Sequence, residues 1–415
     1  GLLNQRLDTP YVKYNGRFEK ATWKEVYNII QSKFKTTDST KVCGISGDLN
    51  NMETLYIFKE FFNKILNSTN LESRNDHVYL NPEKRENYLF NSKITGIEES
   101  DFIFLVGSNP RYEATILNAR IRKSYLQNNT KIISLNDVGD LTYPYNSLNG
   151  KTDIIKEIIE DKHEVSKLIK NSKKPLIILG QSILTTKSGK YIFESIKSFL
   201  KKNNKISNEW NSLNLISQNA STVGSFDLGI YKTSDGSNKI LTNLENHEYE
   251  LVYLLGQDSL KFKKRDEFII YQGSHGDKGA EIADIILPSA AYTEQNGYYT
   301  NLEGKLQKAH KATYPPGEAK EDWLIINELA EVINNNKLFY DKNELESSMI
   351  NYINLYNKND TSKKHSDINE LNFISENIKL NNIDYYYSNA IARASKTMLD
   401  CRNSKINMKL TSTDI

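Results

Sequence analysis

The sequence predicts an α/β fold of two Rossmann-like parallel-sheet subdomains, followed by a mostly helical C-terminal tail. Six short, largely apolar runs punctuate the chain: Val42–Ser46, Phe102–Val106, Lys131–Leu135, Leu176–Leu179, Leu251–Leu255 and Phe268–Tyr271. Each is followed by a stretch of helical character, and that alternation argues for parallel strands covered on both faces. Gly107, Gly180 and Gly256 end three of the runs as backbone punctuation.

Taken in order, residues 1–40 are a lead-in and first helix. Asn15-Gly16 marks a turn, and Thr22 caps the helix, with Glu25 placed to complete a capping box. Trp23, Val26, Ile29, Ile30 and Phe34 share one face of it. Residues 41–150 read as the first Rossmann-like subdomain and 151–290 as the second. Residues 291–333 form a return segment and a helix, in which Trp323, Ile325, Ile326, Leu329 and Val332 supply the apolar positions. Residues 334–415 are a polar extension, rich in Asn and Lys, with short helical patches around Leu345 to Leu355. Its first part, Asn334 to Asn382, is expected to be partly disordered or a peripheral packing surface, with order returning at Ile391 to Met398.

Composition excludes several function classes. A chain of 415 residues is too long for one ordinary core. With 54 basic against 52 acidic residues, it lacks the bulk charge of a nucleic-acid binder. Cys43 and Cys401 lie far apart, form no CxxC pair, and cannot supply the thiolates an iron–sulfur cluster usually needs. No apolar run approaches the roughly 18 residues required to cross a bilayer. The start, Gly1-Leu-Leu-Asn, is not a targeting pattern, and its lack of Met is expected of a processed, trimmed or partial product.

Two turns are the candidate sites. In Gly107-Ser-Asn-Pro-Arg-Tyr-Glu113, Asn109 can cap a helix begun by Pro110, at the C-terminal end of a parallel strand. That geometry favours anions, and Arg111 would add a bidentate donor. The competing reading has Arg111 and Glu113 pairing within the fold or with a neighbouring domain. In Gly273-Ser-His-Gly-Asp277, His275 and Asp277 are a candidate acid–base pair, though no nucleophile is placed beside them by motif. His77, His163, His247, His310 and His365 show no metal-ligand spacing. Neither GxGxxG with a downstream acid nor GxxxxGK[ST] occurs, so NAD and ATP binding have no support.

Residue order adds a resemblance. "ADIILP…YTEQNGYYTNLEGKLQ" over 283–307 resembles the stretch that leaves the last sheet domain of molybdopterin-type oxidoreductases. The longer run "GSHGDKGAEIADIILPSAAYTE", followed by "PPGEAKEDWLIINELAE" over 315–331, is narrower. It is similar to the C-terminal part of the largest iron–sulfur subunit, the "75-kDa" subunit, of mitochondrial-type respiratory complex I. "GLLNQRLDTPYVKYNG" at the start and "YYSNAIARASKTMLDC" near the end match the same family.

The resemblance implies the molybdopterin oxidoreductase, or formate dehydrogenase-like, fold kept without its cofactor. It implies an accessory domain of NADH:ubiquinone oxidoreductase, supporting electron transfer coupled to proton pumping. The chain itself would then have no catalytic residue, no cluster, no metal and no active molybdopterin. Clusters are expected in an N-terminal part of the subunit and in neighbouring peripheral-arm subunits, which would be its partners, on the matrix side of the mitochondrial inner membrane. No nucleic acid and no membrane span are expected. Asn109, Arg111, Glu113, His275 and Asp277 become candidates for a vestigial cofactor cleft. The rival reading is a free-standing molybdopterin-dependent oxidoreductase of the formate dehydrogenase type.

Overall fold

Two sheets organise the computed structural model, which describes residues 1–232, 235–358, 371–381 and 383–411, without the side chains of 356–358 and 407–411. The larger has seven strands, in the order 17–20, 11–14, 285–288, 268–273, 251–255, 42–46 and 71–72. Its last five are mutually parallel. The lead-in contributes the other two as an antiparallel hairpin, turned at Asn15 and Gly16, which both have positive φ. A two-residue turn with that backbone matches the natural twist of paired strands. The smaller sheet is all parallel, with five strands in the order 146–147, 131–134, 102–106, 175–179 and 213–215.

The strand runs legible in the sequence are therefore present, but their grouping differs from the expected division at residue 150. Val42–Ser46 pairs with Leu251–Leu255, more than two hundred residues away, while strands on both sides of 150 share the smaller sheet. The halves are nested: the chain starts the larger sheet, builds the whole of the smaller one, and returns. Apolar runs that alternate with helices specify parallel pairing but not which strands are neighbours, so the order of pairing was invisible locally.

The central parallel strands of both sheets are buried on both faces, and side-chain alternation assigns each face. Leu251, Tyr253 and Leu255 point into a core shared with the helices Trp23–Thr36, Met52–Glu60 and Asp322–Asn334. Val252 and Leu254 point the other way, toward the helix Lys239–Glu245. In the smaller sheet Phe102, Phe104 and Val106 meet the helices Thr152–Ile159, Glu164–Asn171 and Gly189–Lys202. Ile103 and Leu105 meet Leu117 and Ile121 of the helix Thr115–Asn128. Thr22 and Glu25 form the expected capping box.

The C-terminal region departs from expectation. The helix Lys342–Lys358 is not a peripheral patch: Leu345, Met349 and Ile353 are buried in the main core of the larger sheet. Their spacing of four is the stripe of an amphipathic helix, set among the polar residues Glu346, Ser347, Ser348 and Asn351. Of the stretch expected to be partly disordered, residues 359–370 and 382 lie outside the described residues.

Candidate functional site: a cleft closed by its own chain

The C-terminal ends of the strands of both sheets face one another across a cavity of about 980 Å³. In doubly wound α/β folds, ligands bind beyond these strand ends. The larger sheet supplies Asn75, Asp76, Ser259, Lys261 and Tyr292; the smaller supplies Tyr112, Glu113, Gln218 and Asn219. A smaller adjoining cavity is lined by Asp48, Asp258 and Ser274. The turns that carry these groups touch backbone to backbone. A Cβ added to Gly47 would lie 1.8 Å from the carbonyl oxygen of Gly256, so glycine is required there.

The Asn109 turn has the expected form but different partners. Asn109 Oδ1 accepts from the Arg111 amide at 3.2 Å, and Pro110 opens the four-residue helix Pro110–Glu113. The Asn109 amide, the donor an anion would use, is taken by Glu113 Oε1 at 2.8 Å. Arg111 turns to Asp140, donating to its carboxylate at 2.5 Å and its carbonyl at 2.6 Å. Arg111 and Glu113 thus each find a partner within the fold, though not each other. The Arg111–Asp140 pair is largely exposed, at 40% and 73%. Exposed pairs contribute little, so Arg111→Ala is expected to change stability by less than about 1 kcal/mol in urea unfolding.

His275 and Asp277 do not form a pair. His275 is 1% exposed; Nε2 donates to the Gly1 carbonyl at 3.2 Å, which leaves Nδ1 to accept from Ser274 Oγ at 2.9 Å. Burial, and then the positive charge of Arg6, lower its pKa from 6.5 to about 4. The ring is neutral in the fold and binds its proton more weakly than in the unfolded chain. The stability this contributes is complete above pH 6.5 and is lost as pH falls toward 4. His275→Gln should therefore gain about 1–2 kcal/mol relative to the unmodified chain between pH 7.5 and 4.5, allowing for partial screening. Measuring the difference between the two chains at each pH cancels every other titrating group.

Asp277 instead accepts from Nε of Arg393 at 2.6 Å. Arg393 also donates to the carbonyls of Tyr387 at 3.1 Å and Asp258 at 3.3 Å. The segment around it, Tyr385 to Met398, lines the cavity and lies between the two sheets. Its approach is stitched to the smaller sheet's side, where the Ile378 amide donates to the Gly150 carbonyl and Thr152 Oγ1 donates to that of Ile374. Its far end reaches the larger sheet's side, where Asn4 Nδ2 donates to the Ala394 carbonyl at 3.1 Å.

Three carboxylates that the sequence reading missed, Asp48, Asp76 and Asp258, join Glu113 in the cleft. Asp48 and Asp258 have pKa values raised to about 6, chiefly by burial. Asp76 and Glu113 are also shifted upward by burial. Asp48 accepts from Asn219 Nδ2 at 2.7 Å, and Asp258 from the Tyr271 hydroxyl at 3.0 Å. A signal did exist for two of them. Asp48 and Asp258 are the first acidic residues after a strand and its closing glycine, Gly47 and Gly256. Three other histidines make local contacts: His77 meets Glu245 at 3.1 Å, His247 meets Glu267 at 2.6 Å, and His163 caps the Val165 amide at 3.2 Å. His365 lies outside the described residues.

Comparison with known proteins matches residues 6–332 to the molybdopterin oxidoreductase family model. The chain is 37% identical to the NADH-ubiquinone oxidoreductase 75 kDa subunit of Reclinomonas americana, covering 97% of this chain and 61% of that protein. It is 35% identical to the mitochondrial NADH-ubiquinone oxidoreductase 78 kDa subunit of Candida albicans, covering 97% of this chain and 57% of that one. The chain thus spans about three fifths of the length of these relatives. Among solved structures, acetylene hydratase from Pelobacter acetylenicus shares the fold, with a TM-score of 0.54 at 12% identity over 85% of this chain and 66% of that one.

Proposed function

The chain belongs to the molybdopterin oxidoreductase family, and from that membership we propose that it is an accessory domain of the large iron–sulfur subunit of respiratory complex I. In this reading it supports NADH-to-ubiquinone electron transfer as a scaffold and carries no cluster of its own. The clusters belong to the part of the subunit outside this chain and to its neighbours in the peripheral arm. Its place is the matrix face of the mitochondrial inner membrane. Among the described residues, no helix is long and apolar enough to cross that membrane.

The observation that carries the proposal is the pairing of two facts. The relatives match this chain over nearly its whole length, and the cavity at the strand ends is lined by the chain's own C-terminal segment. A pterin dinucleotide is an anion that needs donors at the strand ends. Here the Asn109 amide is spent on Glu113 and the Arg111 fork on Asp140. The walls carry Asp48, Asp76, Glu113 and Asp258 against one lysine, Lys261, and the guanidinium that lines the cleft, Arg393, is held by Asp277. These residues do not fit the group. Cys43 cannot serve as a metal ligand in the cleft either: it is fully buried inside a strand, and burial pushes its thiol pKa well up.

The test is a blue-native gel of gently solubilised mitochondria, probed for this chain and stained for NADH oxidation. Co-migration with a large NADH-oxidising band is expected. A small band without that activity would overturn the proposal and bring forward a free-standing pterin enzyme.

A further inference from the structure

We propose that the cleft is a peptide-binding site whose ligand is the C-terminal segment of this same chain, residues 383–406, anchored by Arg393. The segment would take the place of a cofactor as the bridge between the two sheets. This goes beyond the assignment to an assembly and does not depend on it.

Three observations support the identity of the ligand. The first is charge. A cleft lined by Asp48, Asp76, Glu113 and Asp258 against one lysine, Lys261, with Asp277 beside it, favours a cationic guest, and Arg393 supplies a guanidinium with only 17% of its side chain exposed. Its Nε meets a carboxylate while its two terminal nitrogens take carbonyls, so each nitrogen of the fork has an acceptor.

The second is fit. Ala394 is buried, and the start of the chain closes over the segment: a Cβ on Gly1 would lie 1.9 Å from the Ile391 carbonyl oxygen. The small residues of Ala390-Ile-Ala-Arg-Ala-Ser395 are those that admit such close approach.

The third is local pre-organisation. Asn389 caps the short helix Ala390–Arg393 by accepting from the Ala392 amide at 2.9 Å. Arg402 pairs with Asp384 at 2.6 Å and lies over the Tyr387 ring, folding the segment back on itself. A ligand ordered by its own contacts loses less entropy on docking.

The experiment uses the full chain with a protease site inserted after Asn382, cut after folding and followed by size-exclusion chromatography. The released fragment is expected to stay with the body. A synthetic 383–406 peptide should displace it, and the same peptide with Arg393→Ala should be weaker by on the order of tenfold or more. Departure of the fragment on cutting, or equal competition by the two peptides, would overturn the proposal.

Hydrogen exchange on the uncut chain decides the matter even if cutting unfolds it. Arg393→Ala should accelerate exchange in 389–399 and in the turns at 256–259 and 275–279, with Arg393→Lys intermediate. Unchanged exchange in Arg393→Ala, or acceleration spread evenly over the hairpin 297–309 and both sheets, would refute a docked ligand.

Discussion

Replacing Asp227 with Ala should lower the unfolding free energy by about 2–4 kcal/mol, the cost of leaving the partly exposed Arg85 and the buried Tyr88 hydroxyl without this acceptor. Asp227 is 0% exposed and accepts from Nε and Nη2 of Arg85, both at 2.8 Å, and from the Tyr88 hydroxyl at 3.0 Å. Arg85 reaches on to the carbonyl of Gly304 at 2.7 Å. The carboxylate therefore joins three pieces: the segment leading into the smaller sheet, the helix Thr222–Leu228 that leaves it, and the turn of the hairpin 297–309. A nested fold needs such a joint, because the chain passes between the two sheets at these connecting segments. Urea unfolding of Asp227→Ala measures the effect directly. A loss below about 1 kcal/mol would mean that this joint contributes no more than an exposed pair.

Arg74→Met should cost ~3–5 kcal/mol at the other end of the same junction. Glu72 ends a strand of the larger sheet and is fully buried; Arg74 grips it through Nε at 2.9 Å and Nη2 at 2.7 Å. The remaining donors of Arg74 take the carbonyls of Val78, Gly236 and Ser237 at 3.1, 2.8 and 3.0 Å. One guanidinium thus clasps the outgoing and returning crossovers together. Adding Glu72→Gln to Arg74→Met removes the stranded charge and should recover part of the loss. A double-mutant cycle with no coupling would show that the two residues act separately.

These joints were not legible in the sequence, whereas much of their surroundings was. The capping box at Thr22 and Glu25, the turn at Asn15-Gly16 and the apolar strands are local patterns, and each has its expected form. Arg85 and Asp227 are 142 residues apart, and Arg393 and Asp277 are 116 apart; nothing in one segment announces the other. The same limit explains the candidate site. Asn109, Glu113, His275 and Asp277 were correctly placed at strand ends. Their partners were not legible: Asn109 and Glu113 satisfy each other within one turn, His275 reaches Gly1 across the fold, and Asp277 takes Arg393 from the tail. Arg393 lay inside a motif already noted for its family likeness, yet its chemistry became visible only beside Asp258 and Asp277.

The scaffold reading is tested most directly by purifying this chain with its native assembly and measuring pterin, molybdenum and tungsten per chain alongside NADH:ubiquinone activity. The expected result is co-purifying NADH:ubiquinone activity with far less than one pterin or metal per chain. One pterin and one metal per chain, with substrate oxidation independent of NADH, would contradict it.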